Sequence, residues 1–361
     1  WQILPLNPTG YGDSPYLCFS ALAGNPWLIN PDKLVEVGHL TNSDLQSVPV
    51  FPLERIDYGG VIQFKTDLLN RAFANFNTSA RGDQQKTFRR FCKAQSAWLD
   101  DYALFMALKE AGGWRPWYEW ERELVTREEH AMVRARKELK DAIESQKYRQ
   151  WQFFAQWLSV KQYANERGIR IIGDIPIFVA MDSAEVWKNP QLFYLDRHLK
   201  PTVVSGVPPD YFSATGQLWG HPHYRWNSMA EDGYAWWIER FQMAFTTADV
   251  VRIDHFRGFY NCWQVPHGET TAVKGKWVKG PGARLFRAVT QALGEMAIIA
   301  EDLGDFDKES RAGVTALQEE FGCPGMKVLQ FAFGTDSHAP FLPHNFTRDW
   351  IVYTSTHDSN T

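Results

Sequence analysis

Cysteine is scarce in this chain, and its placement excludes a disulfide framework. The four cysteines, Cys18, Cys92, Cys262 and Cys323, lie far apart and form no CxxC pair. That usage points to a reducing compartment, the cytoplasm or, in a plant, the plastid stroma. No apolar run is long enough to cross a bilayer. No long basic run accompanies the net charge of −4, so neither a membrane nor a nucleic acid is an expected partner. No G-x-G-x-x-G follows a strand-like run, which argues against a dinucleotide fold. The acidic cluster Glu301, Asp302, Asp305, Asp307 lacks the spacing and central glycine of a calcium loop. His221 and His223 sit on a proline-broken stretch without a third ligand at a usual spacing. Neither a metal nor a cofactor is expected. Repeats of fixed period and low-complexity tracts are absent too.

What is abundant is aromatic. Sixteen Trp, thirteen Tyr and twenty-four Phe among 361 residues exceed what a core alone needs. An aromatic-rich interior accounts for part of them. A sugar-binding cleft is the other reading, because the C–H faces of pyranose rings pack well on flat apolar surfaces. With 44% hydrophobic and 22% charged residues, the composition suits a globular protein with a sizeable core, as one large domain or two ordinary ones.

Taken in order, six apolar runs read as strands: Trp1–Leu6, Ile169–Ile175, Val250–Asp254, Ala297–Glu301, Met326–Phe331 and Trp350–Thr354. Residues 31–82 show no long periodicity. From Asp83 the apolar spacing turns helical, Gly112 and Gly113 supply a stop, and Thr126 with Glu129 has the form of a capping box. The stretch 83–167 therefore reads as largely helical, an excursion of about 30–165 from the strand-bearing part. Residues 201–226 are rich in Gly, Pro and aromatics and read as a long binding loop. Helices are expected over Gly233–Phe245, Pro281–Leu293 and Lys308–Phe321. Strands alternating with helices imply βαβ units and a parallel sheet.

Three of the strands end in a carboxylate: VVRID at Asp254, AIIAE at Glu301, and IVYTSTHD at Asp358 just beyond its strand. Charges set at the ends of buried strands are expensive unless paired, and reactive groups of (β/α) barrels collect at those ends. The expected fold is thus an α/β protein of the (β/α)₈ barrel type. A structural ion pair capping each strand is the plainer alternative.

The motifs PTGYGDSPY, GDIPIFVA, GVPPDYFSATGQLWG, VVRIDHFRGF, AEDLG, PGMKVLQFAF with FLPHN, and YTSTHD run through the whole chain. Together they resemble the 4-α-glucanotransferases (amylomaltases, or disproportionating enzymes) of the α-amylase clan. The resemblance implies Asp254 as nucleophile, Glu301 as acid/base and Asp358 as transition-state stabiliser. It places Arg252 and His357 at the cleavage subsite with Asp174 and His255 beside it, and Ser14, Tyr16, Tyr211, Gln217 and Trp219 on substrate-contacting loops. It further implies α-1,4-glucans and maltooligosaccharides as partners, and it is silent on oligomeric state. Members of the family usually read YTGTHDNDT where this chain reads YTSTHDSNT, so local loop differences are expected there. The family pattern also has one barrel strand before WQILPL and one after YTSTHD. Residues 1–361 are accordingly expected to be one catalytic barrel domain within a longer chain, lacking its first and last strands.

Transfer of a glucan segment with retention needs three carboxylates in different roles. The alternatives from the sequence are an α-1,4-glucan hydrolase of the same clan and a non-catalytic glucan-binding protein.

Overall fold

The strands run in the order β1 Ile172–Pro176, β2 Val203–Val207, β3 Gln217–Pro222, β4 Val250–Asp254, β5 Asn261–Pro266, β6 Lys276–Lys279, β7 Ile298–Ala300, β8 Gly325–Val328 and β9 Trp350–Tyr353. They belong to a computed structural model that describes every residue except 81, 211, 212, 334–336, 338 and 359–361. The chain divides into two units. One comprises Trp1–Pro5, Ile169–Met181 and Pro190–Thr361, and the other comprises Leu6–Gly168 and Asp182–Asn189.

The first unit is α/β. β1, β4 and β7 form a parallel sheet in the order β1-β4-β7, and β8 pairs in parallel with β9. One hydrogen bond, Ala300 N–H to the Pro324 carbonyl at 2.8 Å, leads from β7 towards β8. Val251, Ile253, Ile298, Ile299 and Ala300 are all buried, the double-sided burial that parallel strands require. Helix Ala235–Thr247 packs on β1, β4 and helix Ala283–Leu293. Its Trp236, Trp237 and Phe241 join Leu285, Phe286 and Val289 in the core. Much of the aromatic excess is therefore interior.

Trp1–Leu6, expected as a strand, makes only a single parallel bridge, Gln2 to Ile172. Pro5 lacks an N–H to extend the ladder. The segment 201–226, expected as a loop, is mostly the antiparallel hairpin β2–β3, part of a sheet ordered β3-β2-β5-β6. Its glycines disguise it, but Gly206 is there because a Cβ would lie 2.4 Å from the Gln217 carbonyl oxygen. β5 and β6 were not anticipated either, being short runs interrupted by polar residues. The expected helices appear as Ala235–Thr247, Ala283–Leu293 and Lys308–Phe321.

The second unit is helical. Its main helices are Pro31–Glu36, Tyr58–Ser79, Gly82–Ala94, Ser96–Ala111, Glu129–Glu138 and Lys140–Asn165. Ser96–Ala111 is buried almost all round, and it packs along Lys140–Asn165. Gly113 at φ 67° closes it, the left-handed turn that glycine favours. The capping box expected at Thr126 and Glu129 does not form. Thr126 instead ends a short helix with its hydroxyl on the Arg122 carbonyl (2.9 Å), and Glu128 occupies the N-cap of the next. Lys109 has no exposed side-chain surface and is held by Asp182 at 2.5 Å, while Ser20 donates to Glu185 at 2.6 Å. The buried Lys109 is thus paired with a carboxylate and the buried Glu185 is hydrogen-bonded, as their desolvation demands.

Candidate active site

Parallel register puts Asp174 of β1 directly beside Arg252 of β4. Residues two apart on a strand share a face, so Arg252 and Asp254 also point the same way. The result is a charge bridge. Arg252 Nη1 donates to both oxygens of Asp174, at 2.9 and 2.8 Å, and Nη2 lies 2.9 Å from Asp254 Oδ1. Arg252 is 2% exposed, and a buried guanidinium needs such partners. The Asp254 side chain keeps 32% of its surface. Its pKa is raised, chiefly by loss of solvent, with Asp358 adding repulsion, while Arg252 and His357 act in the opposite direction.

Glu301 follows β7 directly. Its N–H extends the ladder to the Ile253 carbonyl at 3.0 Å, so it emerges beside Asp254 at the same end of the sheet. Its carboxylate accepts two backbone donors, His255 N–H on Oε2 at 2.7 Å and Leu303 N–H on Oε1 at 2.9 Å. Those bonds and Arg252 favour the ionised form. Burial and the neighbouring Asp254 charge outweigh them and push the pKa up to about 7.

The His255 donor is aimed by an unusual backbone. His255 adopts φ 53° and ψ 48°, a left-handed turn directly after the strand. Gly258 makes the turn possible, since a Cβ there would lie 2.6 Å from Ile177 Cδ1 and 3.2 Å from His255 Cδ2. The imidazole meets Trp219 edge to face at 4.9 Å, and its Nε2 is buried with no hydrogen-bond partner among the described residues. Burial, then Arg257 and His223, lower the His255 pKa to about 3, so the ring is neutral.

Trp219 belongs to β3, and its indole N–H donates to Gln217 at 3.1 Å. Two sequence-predicted residues of the hairpin thus stand together beside the residue that follows Asp254. Asp358 lies past β9, 66% exposed, with His357 Nε2 at 3.3 Å. Ser14 and Tyr16 are in the helical unit, where Tyr16 N–H donates to the Ser14 hydroxyl at 3.2 Å. Tyr211 falls outside the described residues. His221 and His223 serve the hairpin sheet. Ser205 bonds His221 Nδ1 at 3.0 Å, and His223 Nε2 sits 3.2 Å from the Trp263 carbonyl with burial lowering its pKa to about 4.

Other parts of the site were invisible beforehand. Asp302, next to Glu301 in sequence, is 3% exposed and accepts Met326 N–H at 3.0 Å, anchoring β8. Asp307 caps helix Lys308–Phe321 through Ser310 N–H at 2.8 Å. Glu301, Asp302 and Asp307 of the acidic cluster are therefore three different devices. The backbone donors on Glu301 leave no trace in residue type, and only the glycine at 258 hints at the tight turn behind one of them.

A family model described as 4-alpha-glucanotransferase matches residues 1–361. A 4-alpha-glucanotransferase of Synechocystis sp. is 50% identical over 364 residues, covering 100% of this chain and 71% of the relative. The Thermus thermophilus protein of the same name is 49% identical over 363 residues, again covering 100% and 71%. Among solved structures, amylomaltase from Streptococcus agalactiae in complex with acarbose superposes with a TM-score of 0.94 at 40% identity, covering 99% of this chain and 72% of that one. The class is an enzyme that transfers glycosyl groups. Within that class, this chain belongs to the 4-alpha-glucanotransferase family.

Proposed function

We propose that this chain transfers α-1,4-glucan segments between maltooligosaccharides with retention, through a covalent glycosyl-enzyme intermediate. The observation that carries the reading is the contrast between two neighbouring carboxylates. Burial raises both, but Asp254 has a guanidinium at 2.9 Å that opposes the rise, while Glu301 has no such bonded cation and is pushed up to about 7. Asp254 attacks the anomeric carbon as the C–O bond breaks, and the Glu301 proton goes to the departing 4-oxygen. A 4-hydroxyl of the acceptor glucan then gives its proton to Glu301 and attacks the same carbon, releasing Asp254. Asp358 stabilises the oxocarbenium-like state through sugar hydroxyls.

The site reading further takes Arg252, Asp174, His255 and His357 as the surroundings of the cleavage subsite, and Ser14, Tyr16, Tyr211, Gln217 and Trp219 as glucan contacts. Acarbose, a pseudo-oligosaccharide bound by the Streptococcus agalactiae relative, supports a glucan ligand. For the frame, we take the parallel strands as part of a (β/α)₈ barrel carrying insertions at about 30–165 and 201–226. Tyr353 of β9 supports this, because it shares electrostatic surroundings with Arg252 of β4 and Asp174 of β1. A cytoplasmic or stromal setting fits the four free cysteines.

Incubation with maltotriose tests the reading. Glucose together with maltotetraose and longer products is the expected outcome. Glucose and maltose without longer chains would assign a hydrolase, and unchanged maltotriose would assign a glucan-binding protein.

A further inference from the structure

Of the two backbone donors on Glu301, His255 N–H is set by the end of β4, but Leu303 N–H rides on the loop that leaves β7. That loop runs from Asp302 to the cap at Asp307 and turns through Gly304 at φ 98°. Something must fix it if the 2.9 Å bond to Glu301 is to persist.

Arg257 is the side chain placed to do so. It is 6% exposed, and its guanidinium carbon lies 3.8 Å from the Trp277 ring centroid on β6 and 4.4 Å from that of Phe306 in the loop. Nη1 donates to the Asp305 carbonyl at 2.6 Å, and Nε donates to Asn261 Oδ1 at 2.9 Å. Asn261 in turn donates to Ser310 Oγ at 2.8 Å, and Ser310 is bonded to Asp307. Arg311 flanks Phe306 at 3.8 Å and reaches Asp302 Oδ2 at 3.3 Å. A planar group with donors in a fixed fork can stack and hydrogen-bond at once, which an ammonium cannot. Arg257 Nη2 lies 3.8 Å from Asp307 Oδ2 at the far end of the loop, and Arg257 bonds none of Asp254, Glu301 and Asp358.

We propose that Arg257 is a positioning residue for the acid/base, clamping the 302–307 loop so that Leu303 N–H stays on the Glu301 carboxylate. The inference rests on the assignment of Glu301 above. The charged groups around Glu301 are Asp254 and Arg252 from β4, with Asp358 and His357 acting on Asp254. Asp302 lies beside it, balanced by Arg311 and Lys327. None of these is bonded by Arg257, so loosening the clamp changes the Leu303 bond and leaves the charges in place. Losing a donor to the ionised form raises the pKa.

The test compares Arg257→Lys and Phe306→Leu with the parent and with Glu301→Gln, in the full chain. With maltotriose, both clamp variants are expected to lose about tenfold in kcat/KM. The alkaline limb of their pH profile, where the acid loses its proton, is expected to move up by about half a pH unit. With α-maltosyl fluoride, whose leaving group needs no proton, fluoride release is expected to stay within about twofold of the parent. An unmoved alkaline limb, or equal losses on both donors, overturns the positioning role. Should Arg257→Lys fail to fold, Phe306→Leu decides by the same two readouts. Full maltotriose activity in Glu301→Gln would instead overturn the acid/base assignment itself, so the two failures are distinguishable.

Discussion

At the scale of single residues, the two carboxylates beside one another are separated by their partners more than by their chemistry. Asp254 is bonded directly to the Arg252 guanidinium, whereas the hydrogen bonds on Glu301 come from neutral backbone donors, and burial with the Asp254 charge outweighs them and Arg252. Different roles should give different failures on substitution. On the proposed mechanism Asp254→Asn replaces the nucleophile with a group of the same size, so turnover should fall at least 10³-fold on every donor while the thermal midpoint stays close to the parent. Glu301→Gln should lose roughly 10²–10⁴-fold on maltotriose yet release the first equivalent of fluoride from α-maltosyl fluoride at a rate near the parent's. Initial rates on maltotriose and the first-turnover fluoride burst check both expectations. Equal losses on both donors in Glu301→Gln would remove it from the acid role.

At the scale of elements, the hairpin β2–β3 brings the aromatic surface. Gly206 lets the two strands approach, and Trp219 then packs on His255 at 4.9 Å, one residue beyond Asp254. Phe178, in the segment leaving β1, lies between this hairpin and Tyr224, with ring centroids 6.0 Å from His221 and 5.9 Å from Tyr224. On the proposed reading, a flat indole beside the end of the Asp254 strand would offer a sugar both a stacking face and shelter from water. Trp219→Ala should therefore raise KM for maltotriose several-fold and increase the share of hydrolysis relative to transfer. Glucose measured against longer oligosaccharides gives that ratio, and an unchanged ratio would detach the hairpin from water exclusion.

At the scale of the whole molecule, the site leaves a mark on stability. The Glu301 carboxyl is pushed up from 4.5 to about 7 in the folded state. Between those values the folded chain holds a proton that the unfolded chain has released. Stability from this group is therefore lost as pH rises from 4.5 to 7, by about 3 kcal/mol at most, and is unaffected below that window. Glu301→Gln carries no such titration. Its thermal midpoint relative to the parent should climb between pH 4.5 and 7 and level off above, which a melting series in matched buffers measures. A flat difference would mean that Glu301 titrates normally.

Local pattern made much of this legible in advance. Val250–Asp254 is dictated by β-branched residues buried on both faces, and Lys308–Phe321 by an acidic cap and an apolar stripe. Those signals act within a few residues, where steric preference and solvent exposure decide. The motif PTGYGDSPY and the strand-end carboxylates were equally plain, because residue type carries the chemistry. What tertiary structure alone decided lies between distant segments: Asp174 set beside Arg252 by parallel register, the hairpin hidden under glycines, and the split of AEDLG into one carboxylate beside Asp254 and one anchoring β8. The raised pKa of Glu301 belongs there too. Desolvation and neighbouring charge are sums over everything packed around a group, and no stretch of sequence contains that sum.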